Sequence, residues 1–164
     1  MEIRRARTAD VKAIRRLVDA YTDDRRLLGK ATVTLYESVQ EFWVAADGHG
    51  AVLGCGALHV MWEDLAEIRT VAVDPRHRGR KIGHQIVDRL LDAARELGVA
   101  RVFCLTFETR FFGSFGFSEI DGAPVPHAVY EQLLRSYDEG VAEFLDLERV
   151  KPNTLGNTRM LLHL

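Results

Sequence analysis

The sequence predicts a mixed α/β domain, and three observations carry that prediction. Apolar residues switch repeatedly between a period of two and a period of 3.6 along the chain. Gly, Pro and Asp turn signals separate the periodic segments. The 164 residues, 47% hydrophobic and 28% charged, suffice for one soluble domain with its own core. There is no internal repeat, low-complexity stretch or linker, so residues 1–164 read as a single domain.

Each element has its own signal. Ile3 opens a short strand. Thr8 is a good helix N-cap, and Val11, Ile14, Leu17, Val18 and Tyr21 then recur on one helical face. Asp23 to Lys30 is polar without a period and reads as a loop, with a short helix from Thr34 to Gln40 after it. Phe42–Ala45 and Ala51–Val60 form a hairpin across Asp47-Gly48-His49-Gly50. Glu67 to Val73 is a strand that stops at Asp74-Pro75. A long helix follows, with Ile82, Ile86, Val87, Leu90, Leu91, Ala94 and Leu97 on its buried side and Gly98 as the residue that ends it. Arg101 to Phe107 is a strand, Phe111 to Phe115 a short helix, and Gly116-Phe117 leads into the next strand. Pro126 suits a first helical turn, with Val129, Leu133, Leu134 and Tyr137 on one face behind it. Phe144, Leu145, Leu147 and Val150 form a second apolar group, and Met160 to Leu164 is the last strand.

Charge and composition exclude several classes. A net charge of −2 and no interleaving of aromatic with basic residues give no nucleic-acid footprint. No apolar run approaches the roughly 20 residues needed to span a bilayer. Nothing behind Met1-Glu2-Ile3-Arg4-Arg5 resembles a signal peptide. Cys55 and Cys104 stand alone in apolar strands and read as buried thiols of a reduced, cytoplasmic chain. Without metal-ligand spacing among the Cys and His residues, no metal is expected.

The chemistry concentrates in Val71-Ala72-Val73-Asp74-Pro75-Arg76-His77-Arg78-Gly79-Arg80-Lys81-Ile82-Gly83. An apolar strand, a proline turn and a basic, glycine-containing loop lead into a long helix. Such a helix start offers open backbone N–H groups and the positive end of the dipole, while glycine lets an anion approach the backbone. The segment therefore reads as a phosphate cradle. Gly83-His84-Gln85 lacks the Lys-Ser/Thr ending of a Walker loop, and two glycines do not make a dinucleotide fingerprint.

The loop resembles the pyrophosphate motif of the GNAT acetyltransferase superfamily, Gln/Arg-x-x-Gly-x-Gly/Ala. Arg78 takes its first position and Gly83 its last. Lys81 stands where the family usually has Gly, so the loop must suit a β-carbon there. Glu67–Val73 is similar to the family's fourth strand, Arg101–Phe107 to its fifth, and Phe111–Phe117 to its short helix and closing Gly-Phe. The resemblance runs from Ile3 to Gln132 and returns at the final strand. It is nearest to the acetyltransferase domain of N-acetylglutamate synthases in their short stand-alone form. That likeness lies in Ala66-Glu67-Ile68, Val33-Thr34-Leu35-Tyr36-Glu37, Glu41-Phe42-Trp43-Val44-Ala45 and Asn157-Thr158-Arg159-Met160-Leu161.

The resemblance implies a mixed, mostly antiparallel sheet of six to seven strands, splayed between the fourth and fifth, with helices on both faces. It implies acetyl-CoA as co-substrate, held by Val71, Ala72, Val73, Arg78, Gly79, Arg80, Lys81, Ile82, Gly83 and Phe112. It implies Glu67 as the base that deprotonates the acceptor amine; the bland alternative is an exposed strand Glu paired to a cation. The implied acceptor is glutamate, transferred to directly in a ternary complex. Lys30, Arg69, Lys151, Asn157 and Thr158 are its candidate contacts, each with a solvated surface residue as the alternative. The Arg that the synthases carry before the Asn-Thr pair is Gly156 here, and Lys151 is the candidate substitute. The tyrosine acid common in the superfamily is Phe112 here, leaving Ser114 or Thr109 to assist the thiolate, or merely to cap a helix or lie on the surface. The rivals are an acetyltransferase for glutamine, a polyamine or an aminoglycoside, and a non-catalytic acetyl-CoA sensor. The segment from Pro126 to Val150 reads as a lid, as a homodimer contact, or as apolar faces that simply pack onto the domain.

Overall fold

The computed structural model describes residues 1–22, 31–153 and 155–164. The loop expected at Asp23 to Lys30 lies outside the described residues. The strands are β1 (Glu2–Arg5), β2 (Phe42–Ala46), β3 (Val52–Trp62), β4 (Leu65–Val73), β5 (Arg101–Thr106), β6 (Ser118–Glu119) and β7 (Thr158–His163), and the helices are α1 (Val11–Thr22), α2 (Thr32–Glu37), α3 (Ile82–Leu97), α4 (Thr109–Gly113), α5 (His127–Leu133) and α6 (Glu139–Phe144). Among the described residues the seven strands form one sheet in the order β1-β2-β3-β4-β5-β7-β6. Pairs β1/β2, β2/β3, β5/β7 and β6/β7 are antiparallel, whereas β4/β5 is parallel. This is the mixed sheet that the GNAT resemblance implies. The chain divides into two compact units, Met1–His59 with Ile68–Leu97, and Val60–Glu67 with Gly98–Leu164.

In the first unit, Val11, Ile14, Leu17 and Val18 of α1 bury against Phe42 and Val44 of β2 and Cys55 and Ala57 of β3. Residues 54 and 56 point to the opposite face of β3, by strand alternation. Both are glycines, and a β-carbon on Gly54 would sit 2.9 Å from Ile86 Cδ1 of α3. Helices therefore cover both faces here, and the glycines let α3 lie on the strand itself. The N-terminus of α1 differs from expectation. A 3-10 turn, Thr8–Asp10, precedes α1; Thr8 is its first residue, Arg7 is its N-cap, and the Arg7 N–H donates to the Asp10 carboxylate at 2.7 Å. Asp10 also accepts from the Arg4 guanidinium at 2.8 Å, and that bond holds its carboxyl below the usual range.

In the second unit, Met61, Leu65, Phe103, Leu133, Val141, Phe144, Leu145 and Leu161 share one core. The apolar residues of α5 and α6 thus pack inward. Three expected core residues do not. Leu97 closes α3 and is 62% exposed, Leu134 follows the last residue of α5 and is 48% exposed, and Tyr137 lies beyond the end of α5 and is fully exposed. A periodic pattern continues on paper after the helix that would bury it has stopped.

Candidate active site

The pairing of β4 with β5 is short. It consists of Leu65↔Arg101, Ala66↔Val102 and Glu67↔Phe103, although β4 runs on to Val73 and β5 to Thr106. The parallel ladder thus ends at Glu67. Thr70 just beyond has φ 59°, a left-handed kink in a β-branched residue. Such strain costs on the order of 1–3 kcal/mol and is typical of functional sites. Val71, Ala72 and Val73 follow the kink. The carbonyl of Val73 accepts from the Tyr21 hydroxyl at the end of α1.

Asp74 caps the turn after β4 by accepting from the Arg76 backbone N–H and side chain. Those bonds hold its carboxyl down at about 2. Gly79 (φ 79°) and Lys81 (φ 59°) both take left-handed backbone. Lys81 therefore takes a backbone conformation that favours glycine and bears its steric cost, about 1–2 kcal/mol. Gln85 N–H donates to Lys81 C=O at 3.1 Å and closes the first turn of α3, so the backbone N–H groups of Ile82 and Gly83 open that helix. Arg78, Arg80 and Lys81 are exposed around it, and Ile82 is buried. The Arg78 guanidinium stacks over the Tyr21 ring at 5.6 Å, with Nη2 3.5 Å from its hydroxyl. Arg78–Gly83 and Val71–Val73 are thus bridged by Tyr21, which the sequence presented only as one more apolar position of α1.

Glu67 itself is 6% exposed, so it is not the exposed strand Glu of the bland alternative. Its carboxyl lies directly against the backbone of α6: a β-carbon on Gly140 would overlap Glu67 Oε2 outright. Cys104 is 1% exposed. Burial, with the Glu67 carboxylate second, pushes its thiol above the normal range, and Cys55 is pushed up to about 12 by burial. Neither is a thiolate nucleophile. Glu143 of α6 is also buried, at 4% exposure.

The candidate acceptor contacts are placed unevenly. Lys30 lies outside the described residues. Arg69 is half-buried, two residues after Glu67 in β4. Asn157 and Thr158 are half-buried at the start of β7, where Thr158 pairs with Thr106. The Lys151 ammonium is held by Glu148 at 3.3 Å and Asp146 at 3.4 Å, which raise its pKa, so its charge is matched locally. Gly156 has φ 88°, and a β-carbon on it would meet the Phe107 ring at 3.0 Å.

Phe112 is 6% exposed and packs edge-on against Phe111 (5.1 Å) and Phe117 (5.4 Å), so its ring fills a core. The Ser114 hydroxyl donates to Phe111 C=O at 2.6 Å, the capping role weighed for it. His59 Nδ1 lies 2.8 Å from Glu41, a satisfied histidine. Among the described residues no cluster of His, Cys, Asp or Glu is placed to hold a metal, and no helix is long and apolar enough to cross a membrane.

Residues 11–117 match the Acetyltransferase (GNAT) family. The amino-acid acetyltransferase of Mycobacterium tuberculosis is 64% identical over 162 residues, 98% of this chain and 92% of the relative. An uncharacterized N-acetyltransferase of Chlorobaculum tepidum is 34% identical over 78% of this chain and 82% of its own. Among solved structures, a Mycobacterium tuberculosis protein in complex with CoA superposes with a TM-score of 0.96 at 63% identity, covering 100% of this chain and 99% of that one. N-acetylglutamate synthase from Neisseria gonorrhoeae, complexed with coenzyme A and N-acetyl-glutamate, gives a TM-score of 0.79 at 22% identity, over 99% of this chain and 35% of that one; this likeness concerns the fold.

Proposed function

The chain belongs to the acetyltransferase (GNAT) family, and we propose that it transfers the acetyl group of acetyl-CoA to the α-amine of L-glutamate, the opening step of arginine biosynthesis. The observation that carries this reading is Glu67, a buried carboxyl where the β4–β5 ladder ends. The near full-length likeness to an amino-acid acetyltransferase supports the acceptor class. Two buried free thiols suit a reducing cytoplasm.

In this reading the N–H groups that open α3 and the cations Arg78, Arg80 and Lys81 hold the pyrophosphate. The backbone of Val71 to Val73 lines the pantetheine arm. Phe112 acts from beneath, as packing that fixes α4. Arg69, Asn157 and Thr158 receive the acceptor's polar groups, with Lys30 as a further cation. Glu67 takes a proton from the α-ammonium, directly or through water, which frees the nitrogen lone pair. The nitrogen attacks the thioester carbonyl and the C–N bond forms; as the C–S bond breaks, the nitrogen gives up its second proton, which neutralises the departing thiolate sulfur. The sulfur leaves as thiolate, with a leaving group no more basic than an ordinary thiol near pKa 8.5. No acyl-enzyme is needed, because Cys104 is buried and protonated.

A second reading is favoured by Gly156. Where synthases carry an arginine, this chain has a left-handed glycine under the Phe107 ring. An acceptor with an uncharged side-chain amide, such as glutamine, suits that apolar wall better than a second carboxylate. Release of CoA thiol measured with glutamate, glutamine and spermidine decides among them. Glutamate first, with Glu67→Gln lowering turnover by about a hundredfold or more and leaving acetyl-CoA binding intact, supports the proposal. A preference for spermidine, or a fully active Glu67→Gln, refutes it.

A further inference from the structure

Glu67 is held in place by a helix far from it in sequence. A β-carbon at Gly140 would overlap Oε2 of Glu67 outright, and would lie 2.8 Å from the carboxyl carbon and 2.9 Å from Oε1. Three atoms of one carboxyl group thus occupy the space of a single methyl. The clash involves the functional end of the side chain. The backbone of Gly140 is helical, so glycine is not demanded there by a left-handed φ. What demands it is the carboxyl lying on the backbone of α6.

That backbone is firmly anchored. Asp138 accepts from Val141 N–H at 3.0 Å and caps the start of α6. At its other end the Arg159 guanidinium donates to the carbonyls of Glu143 (2.8 Å), Phe144 and Gly122 (2.7 Å). Phe144 packs edge-on against Phe103 at 5.4 Å, and Phe103 is the register partner of Glu67. Cap, arginine clamp and aromatic contact leave α6 little freedom to retreat from the strand pair.

We propose that Gly140 is a positioning residue for the reaction: α6 is a fixed backstop that leaves Glu67 one place for its carboxyl, and glycine is the residue that makes the place. This gives the 126–150 segment a role in catalysis apart from lid or dimer contact. It rests on Glu67 being the base.

The test is a double-mutant cycle of Gly140→Ala with Glu67→Asp, whose carboxyl is one methylene shorter and withdraws from the new methyl. In the wild-type background, the alanine lowers kcat by roughly ten- to a hundredfold, since a displacement of about 1 Å costs that much. The KM for acetyl-CoA changes little, and the acid limb of the kcat–pH profile moves. In the Glu67→Asp background the same alanine has less than about a twofold effect. An unchanged kcat in Gly140→Ala while Glu67→Gln is dead overturns the positioning role alone. An active Glu67→Gln overturns it together with the base. Equal losses in both backgrounds, or failure to fold in both, would make Gly140 an ordinary packing glycine and overturn the proposal. If the alanine fails to fold in the wild-type background but folds and works together with Glu67→Asp, the contact is confirmed.

Discussion

Replacing Gly56 by alanine should destabilise the protein and loosen its grip on acetyl-CoA. The added methyl would stand 2.8 Å from Ile86 Cγ2, 2.9 Å from Leu90 Cδ1 and 3.4 Å from Val71 Cγ2. Carbon atoms settle at about 3.5–4.0 Å, so two of the three contacts overlap by more than half an ångström. Leu90 can swing its δ-methyl aside. Ile86 cannot, because its γ2-methyl is fixed on the β-carbon of a helical residue with one favoured rotamer. The helix itself must lift. Overpacking of this kind costs about 1–3 kcal/mol. Removing a glycine from a strand interior returns about 0.5–1 kcal/mol. The net loss centres on about 1 kcal/mol, or a melting midpoint lower by about 2–4 °C for a chain of this size. Because α3 begins at the proposed phosphate loop, the lifted helix should also raise the KM for acetyl-CoA. Thermal and urea denaturation of Gly56→Ala, Ile86→Leu and the double variant measure this. Leucine keeps the volume and removes the β-branch, so the double variant should lose less than the sum of the singles. A melting midpoint that rises in Gly56→Ala, or strict additivity, would refute the reasoning.

Two further predictions concern the first unit. Tyr21→Phe removes the hydroxyl that donates to Val73 C=O and meets Arg78, while keeping the ring under the guanidinium. It should weaken acetyl-CoA binding several-fold, by about 1 kcal/mol, with kcat nearly unchanged, as titration calorimetry with CoA and steady-state rates can check. The Asp10 carboxyl sits below its ordinary value because of its bond to Arg4. Its contribution is therefore complete above the unfolded carboxylate pKa near 3.9 and is lost as pH falls through the lower folded value. The stability gap between wild type and Asp10→Asn should be constant near neutrality and close below about pH 4 in urea titrations; a gap that widens with acid would contradict the pair.

Much of this was legible because it is local. The strand-turn-loop-helix run from Val71 to Gly83 announces itself through apolar alternation, a proline, basic residues and a glycine at a helix start. The buried face of α3 follows from spacing alone, with Ile82, Ile86, Val87, Leu90 and Leu91 all buried. Glu67 was legible through resemblance. Gly54 and Gly56 lie inside a strand, and only the helix that crosses them gives them meaning. Arg159 looked like one residue of a terminal motif, whereas it clamps three carbonyls. The segment 126–150 was the hardest, because α5 and α6 have seven and six residues, too short to show a period.

By itself the sequence determined the order of elements and singled out the candidate phosphate loop and the candidate base, because hydrogen-bonding period, turn chemistry and helix starts are set within a few neighbouring residues. Only the tertiary structure decided what surrounds that base. Gly140 touches Glu67, Tyr21 bridges Val73 and Arg78, and Phe107 covers Gly156. Contacts between distant segments depend on how elements pack, and a missing side chain leaves no local pattern to mark the place where another segment comes to rest.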